Sequence, residues 1–259
     1  MILLITGPAI FAEVMATKMK LLDLTLETAA ENLALDEALL ELAEESNENS
    51  EVLRFWEPAR PFVVVGRSSK VAEEVNQEEC HRLGLPILRR SSGGASIVTG
   101  PGCLMYAVVL SYNLRPSLRA ISTSHQFVLG TLVNALLPYV SSVSCAGTSD
   151  LIFESNGQKF SGNSVRCVRN HLLYHGTLLY DFPLELVSSC LRDPPRQPNY
   201  RRGRQHAEFV TNLKVDAAQL KTSIANAWDA TVNLSRWPCQ RTEELAGQKY
   251  QTEAWNLRL

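Results

Sequence analysis

The sequence lacks several features that would assign a class at once. No uninterrupted apolar run reaches the ~18 residues of a membrane-spanning helix, so no membrane partner is expected. The opening, Met1 to Ala16, is apolar, but Glu13 interrupts it and its first lysine is Lys18. It reads poorly as a secretory leader and is taken as an N-terminal extension over residues 1–20, with Met15 or Met19 as alternative starts. There is no C-x-x-C pair. The six cysteines, Cys80, Cys103, Cys145, Cys167, Cys190 and Cys239, are scattered, which argues against a zinc site and for free thiols in a reducing cytoplasm, and no specific metal site is expected. No charge of one sign dominates: the formal net charge of −2 gives no electrostatic case for nucleic acid. Repeats and low-complexity tracts are absent too.

What is present is an ordinary globular composition, 45% apolar over 259 residues, enough for a substantial core. Leu33, Leu35, Ala38, Leu39 and Leu42 fall at helical spacing and predict a helix over Thr28 to Glu45. Val52 to Trp56 and Phe62 to Val65 read as strands around a Pro58/Pro61 turn. Ala72 to Leu83 reads as one helix stopped by Gly84 and Pro86, and Ile87-Leu88 as a short strand. Leu104 to Tyr112 is β-rich, and Ser124 to Leu137 a helix closed by Pro138. Leu151 to Phe153, Lys159-Phe160 and Leu172 to Tyr180 read as strands, with turns at Asn156-Gly157 and Ser161-Gly162. Leu184 to Leu191 and Asp216 to Trp228 are further helices. Strands and helices mix without regular βαβ alternation, so the expected class is α+β, a mixed sheet flanked by helices.

Four segments carry candidate chemistry. In Arg89-Arg90-Ser91-Ser92-Gly93-Gly94-Ala95, two arginines precede a Gly-Gly turn whose backbone N–H groups can approach an anion closely. A Gly-Gly turn alone is often only a turn. Lys159, beside the Asn156-Gly157 turn, can set an ammonium against a phosphate or a developing oxyanion, or be a solvated hairpin lysine. His175-Gly176-Thr177 follows an apolar run and suits either a pocket or a satisfied core histidine. Cys145 is a nucleophile only if a nearby cation lowers its pKa; otherwise it is an inert thiol. The Arg196–His206 stretch, dense in arginine, reads as a solvated loop or a contact for an acidic partner.

Order and spacing unite these pieces. Asn32-Leu33-Ala34-Leu35-Asp36-Glu37, Leu53-Arg54-Phe55-Trp56, Val64-Val65-Gly66-Arg67 and Glu74-Val75-Asn76 resemble the opening elements of lipoate–protein ligase A relatives. The Arg89–Ala95 segment resembles that family's Arg-Arg-x-Ser-Gly-Gly-Gly loop. Lys159-Phe160-Ser161-Gly162-Asn163-Ser164 and His175-Gly176-Thr177-Leu178-Leu179 resemble its two later signatures. The likeness runs from about Leu21 to Leu213.

The resemblance implies the fold shared with biotin–protein ligases, a class II synthetase-like catalytic domain over residues 21–259. It implies that Lys159 is the central catalytic contact of the acyl carbonyl and phosphate. Arg89, Arg90, Ser92, Gly93, Gly94, Ala95, Asp150, Ser161, Gly162, Asn163, His175 and Thr177 would bind the acyl chain and adenylate. The implied reaction takes ATP, Mg²⁺ and lipoate, or octanoate, and acylates a lysine of lipoyl domains. Those domains belong to 2-oxoacid dehydrogenase complexes or to the glycine cleavage H protein. Several positions depart from the pattern: Ala95 replaces the third glycine, Thr99 a frequent histidine, Cys103 an asparagine, Ser68-Ser69 a Gln-Asn pair, and Tyr174 the first of two histidines. No further accessory domain is expected beyond Leu213, so a separate accessory subunit is a candidate partner. A second reading is a cofactor-free octanoyltransferase that takes octanoate from acyl carrier protein onto Cys145. A third, of another class, is a non-catalytic lipoyl-domain-binding subunit, which the presence of Lys159 disfavours.

Overall fold

The computed structural model describes residues 18–46, 49–195 and 197–259; most of the expected N-terminal extension, residues 1–17, lies outside them. Among the described residues the strands are β1 (Lys20–Asp23), β2 (Val52–Trp56), β3 (Phe62–Val65), β4 (Ile87–Arg89), β5 (Ile97–Thr99) and β6 (Cys103–Ser111). They continue with β7 (Val143–Ala146), β8 (Asp150–Phe153), β9 (Lys159–Cys167), β10 (His171–Leu179) and β11 (Val232–Asn233). The α-helices are α1 (Ala29–Ser46), α2 (Val71–Glu74), α3 (Gln77–Arg82), α4 (Ile121–Leu136), α5 (Glu185–Cys190), α6 (His206–Phe209), α7 (Ala217–Ala227), α8 (Cys239–Leu245) and α9 (Glu253–Asn256).

Eight strands form one mixed sheet in the order β11-β1-β2-β6-β10-β9-β8-β7, and β4-β3-β5 form a smaller one. In the large sheet β1 runs parallel to β2 and β11, whereas the ladders from β2 to β7 are antiparallel. The expected α+β class, mixed sheets flanked by helices, is what the chain adopts.

Period-two alternation sorts the long strands into two faces. Leu104, Tyr106, Val108 and Leu110 of β6 join Leu172, Tyr174 and Leu178 of β10 beneath α4 and α7, in one core cluster. Their odd-numbered neighbours face the other way: Ala107, Val109 and Leu173 meet Leu35, Leu39 and Leu40 of α1. Cys103, Met105 and Leu179 meet the small sheet through Val63, Val64 and Val65. α1 is therefore buried along most of its length. It opens with a reciprocal cap, in which Glu31 N–H donates to Thr28 Oγ1 at 3.2 Å and Thr28 N–H to Glu31 Oε2 at 2.8 Å.

The structure differs from the sequence expectations at two informative places. Ala72 to Leu83 is not one helix but α2 and α3, because Val75 pairs with Leu191 as a β-bridge and Asn76 N–H donates to the Cys190 carbonyl at 2.8 Å. Asn76 then caps α3 through Glu79 N–H at 3.3 Å. Ser161-Gly162 is not a turn but part of the nine-residue strand β9, held by ladders to both β8 and β10. In the β8–β9 ladder Leu151 faces Ser161 while Ile152 faces Lys159, so Phe160 is an extra residue, a bulge.

Candidate active site

The same alternation builds the site. On β10 His175 and Thr177 lie on the face opposite Tyr174 and Leu178, toward α1 and the small sheet. There a cavity of about 470 Å³ separates the end of the large sheet from the Arg90–Val98 segment. Leu33, Val64, Val98, Met105 and Leu179 give it an apolar wall, and Arg90, Asp150, Lys159, Asn163, His175 and Thr177 a polar one. A concave apolar slot with a few convergent polar groups is the usual form of a small-molecule site.

The bulge decides where the central lysine points. Pairing Lys159 with Ile152 places it on the face of Asp150, two residues before Ile152 on β8. Lys159 Nζ lies 2.7 Å from Asp150 Oδ1, and Tyr200 O–H donates to the other oxygen, Oδ2, at 2.6 Å. Burial, with the Asp150 charge beside it, pushes the Tyr200 hydroxyl far above its ordinary range, so it stays a donor. The ion pair orients the ammonium and leaves two of its three N–H donors for a ligand.

A second network joins the loop to the sheet. Arg90 Nε donates to Ser92 Oγ at 3.2 Å, and Ser92 Oγ lies 2.5 Å from His175 Nε2. His175 Nδ1 lies 3.2 Å from Asp36 Oδ2, and Arg54 holds the other oxygen at 2.5 Å. With the imidazole proton assigned to Nδ1, every contact has one donor and one acceptor. Burial raises the Asp36 carboxyl, but Arg54 and the His175 contact outweigh it and bring the carboxyl below its ordinary value. Burial lowers Arg90 to about 10, against a small opposing pull from Glu74, so the guanidinium remains a cation at neutral pH. It donates to the carbonyls of Gly93 at 2.5 Å and Ala95 at 2.9 Å and so folds the loop around itself. Gly94 sits at φ 86°, a conformation an L side chain adopts only with strain.

Asn163 is fixed from three sides. It accepts from Tyr106 O–H at 2.5 Å and donates to the Ser149 carbonyl at 2.8 Å and to Ser161 Oγ at 3.1 Å. Room for this exists only because residue 176 is glycine: a Cβ there would stand 1.8 Å from Asn163 Oδ1.

The structure brings Lys159, Asp150, Ser161, Gly162, Asn163, His175 and Thr177 together around the cavity, joined by Arg90, Gly94 and Ala95 from the loop. It does not bring Arg89, Ser92, Gly93 or Cys145 to the cavity wall. Arg89 is fully buried, with Nη1 donating to the carbonyls of Gly66 and Ser69, both at 2.7 Å. Ser92 is spent on His175, and the Gly93 carbonyl on Arg90 and on Ser164 Oγ at 2.8 Å. Cys145 stands opposite Leu151 across β7 and β8, so its thiol shares the Leu151 face and not that of Asp150. It is an exposed residue whose thiol the partial cover around it pushes up, the reverse of an activated cysteine.

Asp36, Tyr200 and Arg201 had no individual signal in the sequence reading. The arginine-rich segment is only in part the solvated loop expected: Arg202 is exposed, whereas Arg201 turns inward. Arg201 is only 2% exposed, lines the cavity, pairs with Asp193 at 2.8 Å and stacks over Phe209 at 5.0 Å. A pattern of charge is silent about which arginine turns inward. Among the described residues no group of three or more His, Cys, Asp or Glu side chains could hold a metal ion. No helix among them is long and apolar enough to cross a membrane.

Comparison with known proteins agrees with this geometry. The model of the lipoyl protein ligase A/B catalytic domain matches residues 28–232, and the chain belongs to that family of enzymes. It is 27% identical over 236 residues to a probable lipoate-protein ligase A of Mycoplasma genitalium, covering 87% of this chain and 68% of that protein. It is 24% identical over 257 residues to the octanoyltransferase LipM of Oceanobacillus iheyensis, covering 92% and 93% respectively. In fold it resembles the bi-partite lipoate protein ligase of Thermoplasma acidophilum, solved with its E2 lipoyl domain. The TM-score is 0.76 at 21% identity, over 93% of this chain and 96% of that one.

Proposed function

We propose that this chain attaches a lipoyl or octanoyl group to a lysine of a lipoyl domain by way of an acyl-adenylate. The observation that carries the reading is the Lys159–Asp150–Tyr200 group, set beside an apolar slot and two buried arginines. In the first step a carboxylate oxygen attacks the α-phosphorus of ATP, an O–P bond forms and pyrophosphate leaves. In the second the neutral target amine attacks the acyl carbon, a C–N bond forms, the acyl C–O bond to the phosphate breaks, AMP departs and the nitrogen gives a proton to solvent. Both steps build negative charge on oxygens that Lys159 Nζ and Arg90 would face, and pre-aimed donors are worth most where charge develops. The apolar wall from Leu33 to Leu179 would take the C8 chain and exclude water from the anhydride. Cations for a phosphate and an apolar slot for a chain suit an acyl-adenylate; Mg²⁺ would be carried in on the phosphates of the nucleotide. The lipoyl domain seen with the Thermoplasma enzyme supports the same class of acceptor here.

The alternative, octanoyl transfer from acyl carrier protein through Cys145, is favoured by the long match to LipM. The position of Cys145 on the Leu151 face weighs against it. Intact-mass analysis of an apo lipoyl domain separates the two. Modification is expected with lipoate, ATP and Mg²⁺, and is expected to vanish in Lys159→Ala. Modification only with octanoyl-acyl carrier protein, abolished by Cys145→Ala, would overturn the proposal.

A further inference from the structure

β4 is an edge strand, paired through Val65 to β3 on one side only. In a parallel ladder alternate residues direct N–H and C=O outward, and Arg89 is such a residue. Its outward groups are not left to water. Arg89 N–H donates to Asn256 Oδ1 at 2.9 Å, and Trp255 Nε1 donates to the Arg89 carbonyl at 2.8 Å. The guanidinium returns the contact, with Nε donating to the Trp255 carbonyl at 3.1 Å. Two side chains of α9 thus do the work of an absent neighbouring strand.

Their own anchorage leads back to the site. Asn256 Nδ2 donates to the Tyr250 carbonyl at 2.8 Å, and Tyr250 O–H donates to Glu37 Oε2 at 2.7 Å. Lys249 Nζ binds the same carboxylate at 2.7 Å. Glu37 adjoins Asp36 on α1, and Asp36 holds His175 and through it Ser92. The Arg89–Ala95 loop is therefore gripped at Arg89 and at Ser92 by paths that meet on consecutive residues of one helix. Between the grips lies Arg90, whose N–H bonds to β3 at Val65 and whose guanidinium lines the cavity. The residues making the outer grip lie beyond the 28–232 covered by the family match.

We propose that Trp255 and Asn256 are positioning residues for the acyl-transfer cavity, holding the outer edge of β4 so that Arg90 and the Gly94–Ala95 turn keep their aim. The activity readout rests on the acyl-transfer reading above; the exchange readout does not. The experiment compares the full chain with Trp255→Phe, which keeps an aromatic ring but removes the N–H, and with Asn256→Ala. Thermal melts, amide hydrogen exchange over residues 87–96 and 159–179, and steady-state kinetics with the acyl donor and a lipoyl domain are recorded. The expected result is faster exchange through residues 89–96 with β9 and β10 unchanged, and a melting temperature lowered by only a few degrees, about 5 °C. KM for the acyl donor should rise about tenfold, as loss of one well-placed hydrogen bond gives, with KM for the lipoyl domain within about twofold. Faster exchange confined to residues 87–89, or an unchanged donor KM in both variants, would overturn the proposal. So would activity that falls only in step with the folded fraction. A wild-type protein that transfers no acyl group from any donor would count against the acyl-transfer reading, leaving the exchange pattern to decide the clamp.

Discussion

Lys159 and Cys145 stand two strands apart at the same end of one sheet, and their surroundings differ in every respect that matters for reactivity. Lys159 faces a walled cavity, is oriented by Asp150 at 2.7 Å and keeps donors to spare. Cys145 lies on the other face, with its thiol pushed up rather than down. On the proposed reading, the difference between them comes from strand phase and neighbours, not from residue type. The comparison can be broken or sharpened in several ways.

The largest effect is expected for Lys159→Ala. Loss of one pre-aimed donor costs about 10²–10³ in kcat, so lipoyl-domain acylation followed by mass spectrometry should fall by that factor, with the melting temperature little changed. Retained activity would remove the basis for preferring this face. A smaller loss, about tenfold in kcat/KM, is expected for Tyr200→Phe, which leaves the pair intact but frees Asp150 Oδ2.

Next comes acid sensitivity, expected from the two buried carboxylates of α1. Asp36 and Glu37 are both held below their ordinary values: burial raises each, and the cations around them more than reverse it. The unfolded chain therefore binds more protons, so their contribution is fully present above about pH 5 and shrinks as pH falls toward the lowered native values. Urea midpoints measured from pH 7 to pH 3 should decline, with a shallower decline in Asp36→Asn. An equal slope in both proteins would contradict the assignment. The smallest effect belongs to Cys145→Ala, for which acylation with ATP and lipoate should change by less than about twofold. A larger loss would move the chemistry to the other face.

Much of this was legible in the sequence, for identifiable reasons. The helical spacing of Leu33 to Leu39 and the apolar run before His175 report burial directly, although Leu42, on the same pattern, is exposed. Lys159, Asn163, His175 and Thr177 were grouped in advance only through the family resemblance, and the structure sets their motifs on two strands that are ladder neighbours. Arg89 and Arg90 could not be told apart. Adjacent residues of identical type take opposite sides of a strand, and which side meets α9 depends on residues more than 160 positions later. Arg201 and Tyr200 were hidden for a related reason, since a loop rich in arginine looks solvated until a wall is placed behind it. The structure has a strand and no turn at Ser161-Gly162 because glycine and serine mark turns locally, whereas ladders to strands on both sides override that preference.

The bulge at Phe160 sets a length rather than an identity. With regular pairing continued from Leu151 and Ser161, Lys159 would fall opposite Phe153 and join the Leu151 face, among the core side chains. One surplus residue shifts the frame of the strand by half a repeat and turns the ammonium toward Asp150. The number of residues between Asp150 and Lys159 is therefore under tighter constraint than most of the side chains in that stretch. Substitutions in the connecting hairpin away from Gly157, which sits at φ 64°, will be tolerated, whereas deletion of a single residue from the bulge will leave an intact motif whose lysine points at the wrong side of the sheet.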